Sequence, residues 1–127
     1  MCVDVEMKEW CAVPDLELSA AQQGQSVVVA VTGEVDLDNA DQLERELGRA
    51  LSQSSHLVAD LTDVPLCDST GLNVLLKAHQ QAERHGGSVV IAGPQSAVRK
   101  VLTITGLDAV LTSYASVDEA ARTVSAE

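Results

Sequence analysis

Residues Asp60 to Lys77 read DLTDVPLCDSTGLNVLLK: an acid-rich loop, a Ser-Thr-Gly step, then an apolar run with helical spacing. Leu72, Leu75, Leu76, His79 and Ala82 mark one face of that run, and Gly86-Gly87 stops it. The segment Leu57–Leu61 before the loop reads as a buried strand. The chain therefore passes from strand through loop into helix, with Ser69 where the helix begins. The first N–H groups of a helix have no intrahelical partner, and its dipole favours negative charge there. A phosphate on Ser69 would be received by the helix but would sit beside Asp68. The segment reads as a switch more than a catalytic centre. Helix capping by Asp68 or by Ser69 accounts for the same residues, and a cap site is also an anion site.

Upstream, Asp15 to Ala20 alternates polar and apolar like a half-buried strand. Gln22-Gln23-Gly24-Gln25 reads as a turn and Val27–Val31 as a central strand, so the two strands form a hairpin. Gly33-Glu34-Val35-Asp36 ends it, and Asp38 is a cap for the helix that follows. Leu43, Leu47, Ala50 and Leu51 give that helix one apolar stripe, which Gly48 weakens by about 1 kcal/mol without breaking it.

Downstream, Ser88–Ala92 is a short buried strand, and Gly93-Pro94 opens a third helix with Pro in its first turn. Val98, Val101, Leu102 and Thr105 line that helix and Gly106 closes it. Ala109–Leu111 reads as a short strand, and Ser116-x-x-Glu119 as a capping box for a last helix with Ala120 and Val124 inward.

The order β-β-α-β-α-β-α-β-α predicts an α/β fold with a mixed, mostly parallel sheet of about five strands under about four helices. Residues 1–14 have no clear period and end at Pro14; they read as an N-terminal extension suited to cover an edge. Residues 15–127 form one domain.

Of the 127 residues, 46 % are apolar and only 2 % aromatic, with no Phe. Such a core of Val, Leu, Ile and Ala suits parallel strands covered by helices. Nineteen acidic residues against eight basic give a net charge of −11. That sign repels nucleic acid and anionic membranes and permits a basic protein partner; it also serves solubility alone. Cys2, Cys11 and Cys67 make an odd count without CxxC spacing, which argues for a reducing compartment. The acidic N-terminus lacks signal-peptide order, and no apolar stretch approaches a membrane span. The expectation is a soluble cytoplasmic protein.

Catalysis is not expected. Ser69 lies in no GxSxG elbow, and the imidazole candidates are His56, His79 and His85. His79 falls on an apolar stripe, where a satisfied boundary histidine is the simpler reading. No cofactor is implied, and no metal, because no His or Cys pair has zinc spacing. Asp36, Asp60, Asp63 and Asp68 gather at strand ends, and adjacency of their strands would bring Asp36 near Asp68. DLTDVP resembles the phospho-acceptor loop of response-regulator receivers, but the acidic pair after the first strand is poor and the Lys-Pro is missing. A solvated acidic rim accounts for the same acids. Cys67 touches the switch loop, as a redox-sensitive thiol or a small buried hydrophobe. Trp10 and Cys11 are placed for a partner or self contact.

Several segments together resemble the bacterial anti-sigma factor antagonists, single STAS domains of the partner-switching type. They are Gly33-Glu34-Val35-Asp36, Leu57-Val58-Ala59-Asp60-Leu61 and Asp68-Ser69-Thr70-Gly71-Leu72, then Gly86-Gly87, Pro94 with Val98, Val101 and Leu102, and Gly106-Leu107. The similarity spans roughly Asp15 to Val124. It implies phosphorylation at Ser69, directly after the loop aspartate, with Thr70 in the motif but not the acceptor. It implies partner contact through Asp36, Asp68, Ser69, Thr70, Gly71 and Leu72, with Leu72 and the exposed face of the second helix as the apolar part.

The implied partners are an anti-sigma factor that is also a serine kinase, and a PP2C-type phosphatase; the implied state is a monomer or weak dimer. Cys67 stands where a larger apolar residue is common, and Asn73 where a small one is. A non-switching STAS module of a transport or sensory complex is the alternative within the fold.

Overall fold

The computed structural model describes residues 16–125. The extension 1–14 with Trp10 and Cys11, Asp15, and the side chain of Val124 lie outside the described residues. Strands β1 (Glu17–Gln23) and β2 (Ser26–Thr32) are followed by helix α1 (Ala40–Leu51), β3 (His56–Asp63) and α2 (Ser69–Glu83). Then come β4 (Ser88–Ala92), α3 (Ser96–Thr105), a 3-10 turn (Leu107–Ala109), β5 (Ser113–Tyr114) and α4 (Val117–Ser125). This is the expected β-β-α-β-α-β-α-β-α order.

The strands lie side by side in chain order, with β1 antiparallel to β2 and every later pair parallel. Alternation along the strands sorts the side chains onto two faces. Val27, Val29, Val31, Leu57, Ala59, Leu61, Val89 and Ile91 enter the main core with Leu43 and Leu47 of α1, Leu72 and Leu75 of α2, and Val98 and Leu102 of α3. Val58, Val90 and Ala92 form a smaller cluster on the other face with Ala120 of α4. Three helices thus cover one face and one covers the other, which leaves the loops after β2 and β3 side by side at one end of the sheet.

Four local expectations are corrected. The turn is shorter than Gln22–Gln25, because Gln22 pairs with Val27 and Gln23 with Ser26, so Gly24-Gln25 alone makes the reversal. Asp38 does not cap α1: Asn39 holds the N-cap position, and the backbone N–H groups of Asp38 and Asn39 both donate to Asp36 Oδ1 at 3.0 and 3.3 Å. Pro94 precedes α3 instead of opening it. Gln95 is the extended N-cap residue, and its side chain is tied to the Thr62 carbonyl at 2.8 Å.

Residues 109–111 are not a strand. Leu111 N–H donates to the Leu107 carbonyl at 2.8 Å, which commits the backbone to a turn, while its buried side chain plugs the core. Pairing with β4 begins later, at Ser113. Gly106 does close α3, at φ 80°, and Ser116 Oγ accepts from Glu119 N–H at 3.2 Å as a cap of α4.

Candidate functional site

The two loops are stitched together beyond the regular sheet. Val35 and Cys67 form an isolated parallel bridge, with Val35 N–H donating to Leu66 O at 3.0 Å and Asp68 N–H to Val35 O at 3.1 Å. Asp36 and Asp68 each follow a residue of this bridge, so the strand ends carrying them are neighbours. The β2–α1 loop is braced from within. Asn39, only 7 % exposed, accepts from Asp36 N–H at 2.9 Å and donates to the Glu34 carbonyl at 2.8 Å. Asp36 is half-buried and its Oδ1 holds the turn, so this carboxylate shapes the loop as well as charging it.

At the start of α2 the two capping candidates separate. Asp68 is the N-cap, and its Oδ1 accepts from Gly71 N–H at 3.1 Å. Ser69 takes the first helical position, exposed, and its hydroxyl makes no hydrogen bond among the described residues. With capping done by its neighbour, the Ser69 oxygen is left open to solvent at the positive end of a fifteen-residue helix. Thr70 is half-buried. A groove of about 430 Å³ runs from Ser69, Thr70 and Asn73 to Thr105 and Leu107.

Gly71 and Leu72 do not belong to an accessible contact surface. Leu72 is completely buried in the main core, so it supplies no apolar contact to a partner. Gly71 is buried too, and a Cβ there would collide with Val35 Cγ1 and lie 2.8 Å from Cys67 Sγ. The glycine permits close approach between α2 and the chain's own bridge, not the approach of another backbone.

In these two loops Leu37, 72 % exposed, and Leu66, 48 % exposed, present apolar surface, and Ile104 of α3, 77 % exposed, stands next to Thr105 of the groove. Sequence reading missed both leucines. The available signal was a leucine between two acids at Leu37, and a leucine next to Pro65 and off any periodic stripe at Leu66.

Cys67 is 1 % exposed, and its thiol is pushed up to about 12, first by burial and then by the negative charge of Asp68. It is a neutral thiol packed under the loop, since the nucleophilic thiolate is suppressed. His79 is satisfied: Nδ1 accepts from Val89 N–H at 3.1 Å, and Nε2 lies 3.2 Å from Glu83 Oε2. Asp60 Oδ1 accepts from the Thr62 N–H and hydroxyl at 3.1 and 2.6 Å. Among the described residues no group of three His, Cys, Asp or Glu side chains could hold a metal ion, and no helix is long and apolar enough to cross a membrane.

A model of the STAS domain matches residues 17–120, which takes in every strand and the site itself. The chain belongs to the STAS domain family. The anti-sigma-B factor antagonist of Bacillus subtilis (strain 168) is 28 % identical over 93 residues, covering 73 % of this chain and 85 % of that protein. An anti-sigma F factor antagonist from Paenibacillus polymyxa is 24 % identical over 102 residues, covering 79 % and 87 %. Among solved structures, an anti-sigma factor antagonist from Mycobacterium paratuberculosis superposes with a TM-score of 0.79 at 27 % identity, covering 87 % of this chain and 94 % of that one. The five-stranded STAS fold is thus shared with proteins named as regulators, over nearly their whole length.

Proposed function

We propose that this STAS domain is an anti-sigma factor antagonist whose state is set by phosphorylation of Ser69. Unphosphorylated, it binds an anti-sigma factor that is also an ATP-dependent serine kinase and so frees a sigma factor. The kinase then phosphorylates Ser69, the pair separates, and a PP2C-type phosphatase resets the antagonist. The protein acts as a binding regulator in the cytoplasm and not as an enzyme. The observation that carries the reading is the exposed, unbonded Ser69 hydroxyl at the first position of α2, beside an Asp68 that performs the capping. The names of the relatives support the antagonist role.

The contact face in this reading comprises Asp36, Asp68, Ser69 and Thr70, with Leu37 and Leu66 as its apolar anchors. A phosphoryl group adds about −1.5 to −2 charge at neutral pH. Beside Asp68, in a surface that a partner must desolvate, it adds like-charge repulsion and an uncompensated dehydration cost. About 3 kcal/mol of such coupling weakens binding roughly hundredfold, so no refolding is needed. Asp68 cannot swing away without releasing Gly71 N–H, which keeps the two negative groups together.

The test is co-expression with a candidate anti-sigma kinase, followed by intact-mass measurement and pull-down. One hydroxylamine-stable phosphate that vanishes in Ser69→Ala is expected, with Ser69→Ala retaining the partner and Ser69→Asp losing it. Equal binding by the two variants would refute the electrostatic switch. A hydroxylamine-labile adduct on Asp60 or Asp63 would refute the serine assignment.

A further inference from the structure

Helix α3 is seated on the core by Val98 and Leu102, which leaves the opposite side of the helix uncovered. Ser96, Arg99, Lys100, Thr103 and Ile104 recur there at i, i+3, i+4, i+7 and i+8. All five are exposed, and together they line a hollow of about 290 Å³. Ile104 is followed by Thr105, which lines the groove at Ser69, so the hollow and the groove meet at the last turn of α3.

The charge here is opposite to that of most of the chain. No Asp or Glu occurs from Arg84 to Leu107, and among the described helices α3 alone has no carboxylate. Arg49 pairs with Glu46 at 3.1 Å and Lys77 with Glu44 at 3.8 Å. Arg99 instead donates from Nη2 to the Pro94 carbonyl at 3.3 Å, and among the described residues neither it nor Lys100 is in an ion pair.

Two cations beside an exposed isoleucine fit a segment that sets a carboxylate next to an apolar side chain. A polyanion or an anionic membrane meets a net charge of −11 before it reaches these two cations, and a second copy brings the same charge again. One carboxylate in an otherwise basic partner surface avoids that repulsion. With Asp36 and Asp68 at the Ser69 end and Arg99 and Lys100 on α3, the face is bipolar, which orients a partner as well as holding it.

We propose that this face of α3 is a second contact of the anti-sigma factor, taking a segment that sets a carboxylate against Lys100 and an apolar side chain against Ile104. The inference rests on the proposed function for its partner. Titration calorimetry with the same anti-sigma kinase tests it, on the full chain and on variants at exposed positions checked for folding by circular dichroism. Lys100→Glu and Ile104→Ser are each expected to weaken binding about tenfold, and Lys100→Arg to bind like wild type. Added salt should narrow the gap between wild type and Lys100→Glu but not that of Ile104→Ser. Arg122→Glu makes the same charge change on α4, across the sheet, and is expected to cost less than about twofold.

Wild-type affinity in either Lys100→Glu or Ile104→Ser overturns the proposal. An equal loss in Lys100→Glu and Arg122→Glu also overturns it, since net charge alone is then being read. Self-association of the chain that Ile104→Ser abolishes in sedimentation overturns it too, because the occupant is then a second copy. A kinase that binds none of the proteins, wild type included, refutes the proposed function itself and this contact with it.

Discussion

Replacing Gly71 by alanine puts a methyl group into space already filled by Val35 Cγ1 and, at 2.8 Å, by Cys67 Sγ. Neither neighbour can step aside freely. Val35 is 2 % exposed and Cys67 1 %, and their backbones are joined in the bridge between the β2–α1 and β3–α2 loops. Overpacking of this kind costs about 1–3 kcal/mol. Alanine recovers up to about 1 kcal/mol of helix propensity. The net expectation is destabilisation by about 1–2 kcal/mol, or roughly 4–10 °C in Tm for a domain near this size.

The strain has a direction, because it pushes the first turn of α2 away from the β2–α1 loop. Shaving the obstacle should therefore relieve it: Val35→Ala/Gly71→Ala should be less destabilised than the sum of the two single changes, by about 1 kcal/mol. Urea denaturation of the four proteins gives the cycle directly. Gly71→Ala as stable as wild type, or strictly additive behaviour, would refute the close-packing account of this glycine.

Gly48→Ala supplies the contrast, since a Cβ at this exposed position of α1 meets nothing within 4 Å; it should stabilise by about 0.5–1 kcal/mol in the same denaturation assay. Cys67 ionises near 12 in the fold against 9.0 ordinarily, so its folded value is raised. The stability this contributes is complete below pH 9 and is lost as pH rises towards 12, where the unfolded chain gives up the proton first. Urea midpoints at pH 8 and 10.5 should fall further in wild type than in Cys67→Ala. Asp68→Asn keeps a capable cap and removes the charge, so Ser69→Asp in that background should recover about tenfold of its lost partner binding, read by titration calorimetry with the anti-sigma factor.

What the sequence announces here is periodicity. The alternation of Val27, Val29 and Val31 and the helical spacing of Leu72, Leu75 and His79 follow from which face meets the core, and burial decides both. Boundaries depended on bonds between distant residues, which no local pattern carries. Gln22 and Gln23 look like turn residues but pair with Val27 and Ser26. Asp38 looks like a cap, yet Asp36 takes the N–H groups that define the turn.

At the site the motif located Ser69 and Asp68 but treated five consecutive residues as one surface. The helix rotates by about 100° per residue, so Gly71 and Leu72 face inward while Ser69 faces out. The proposed anchors fell outside the motif because a lone exposed leucine resembles any other loop residue until the fold sets Leu37 and Leu66 on neighbouring loops.

That rotation also gives one short segment a rigid inner side and an open outer one. Its inward residues close the core: Leu72 is sealed among the strands, Gly71 abuts Val35, and Cys67 is a neutral thiol beneath the loop. Its outward residue carries only solvent-exposed oxygen chemistry, so modifying it strains nothing inside. Between them Asp68 belongs to both sides, bonded inward to Gly71 N–H and charged outward. A phosphate on Ser69, as proposed, would meet a carboxylate that the helix cap holds in place, and the helix dipole would lower the cost of carrying it in the free protein. On the proposed function, the same addition would be tolerable in the isolated domain and expensive under a partner, the asymmetry that a release switch requires.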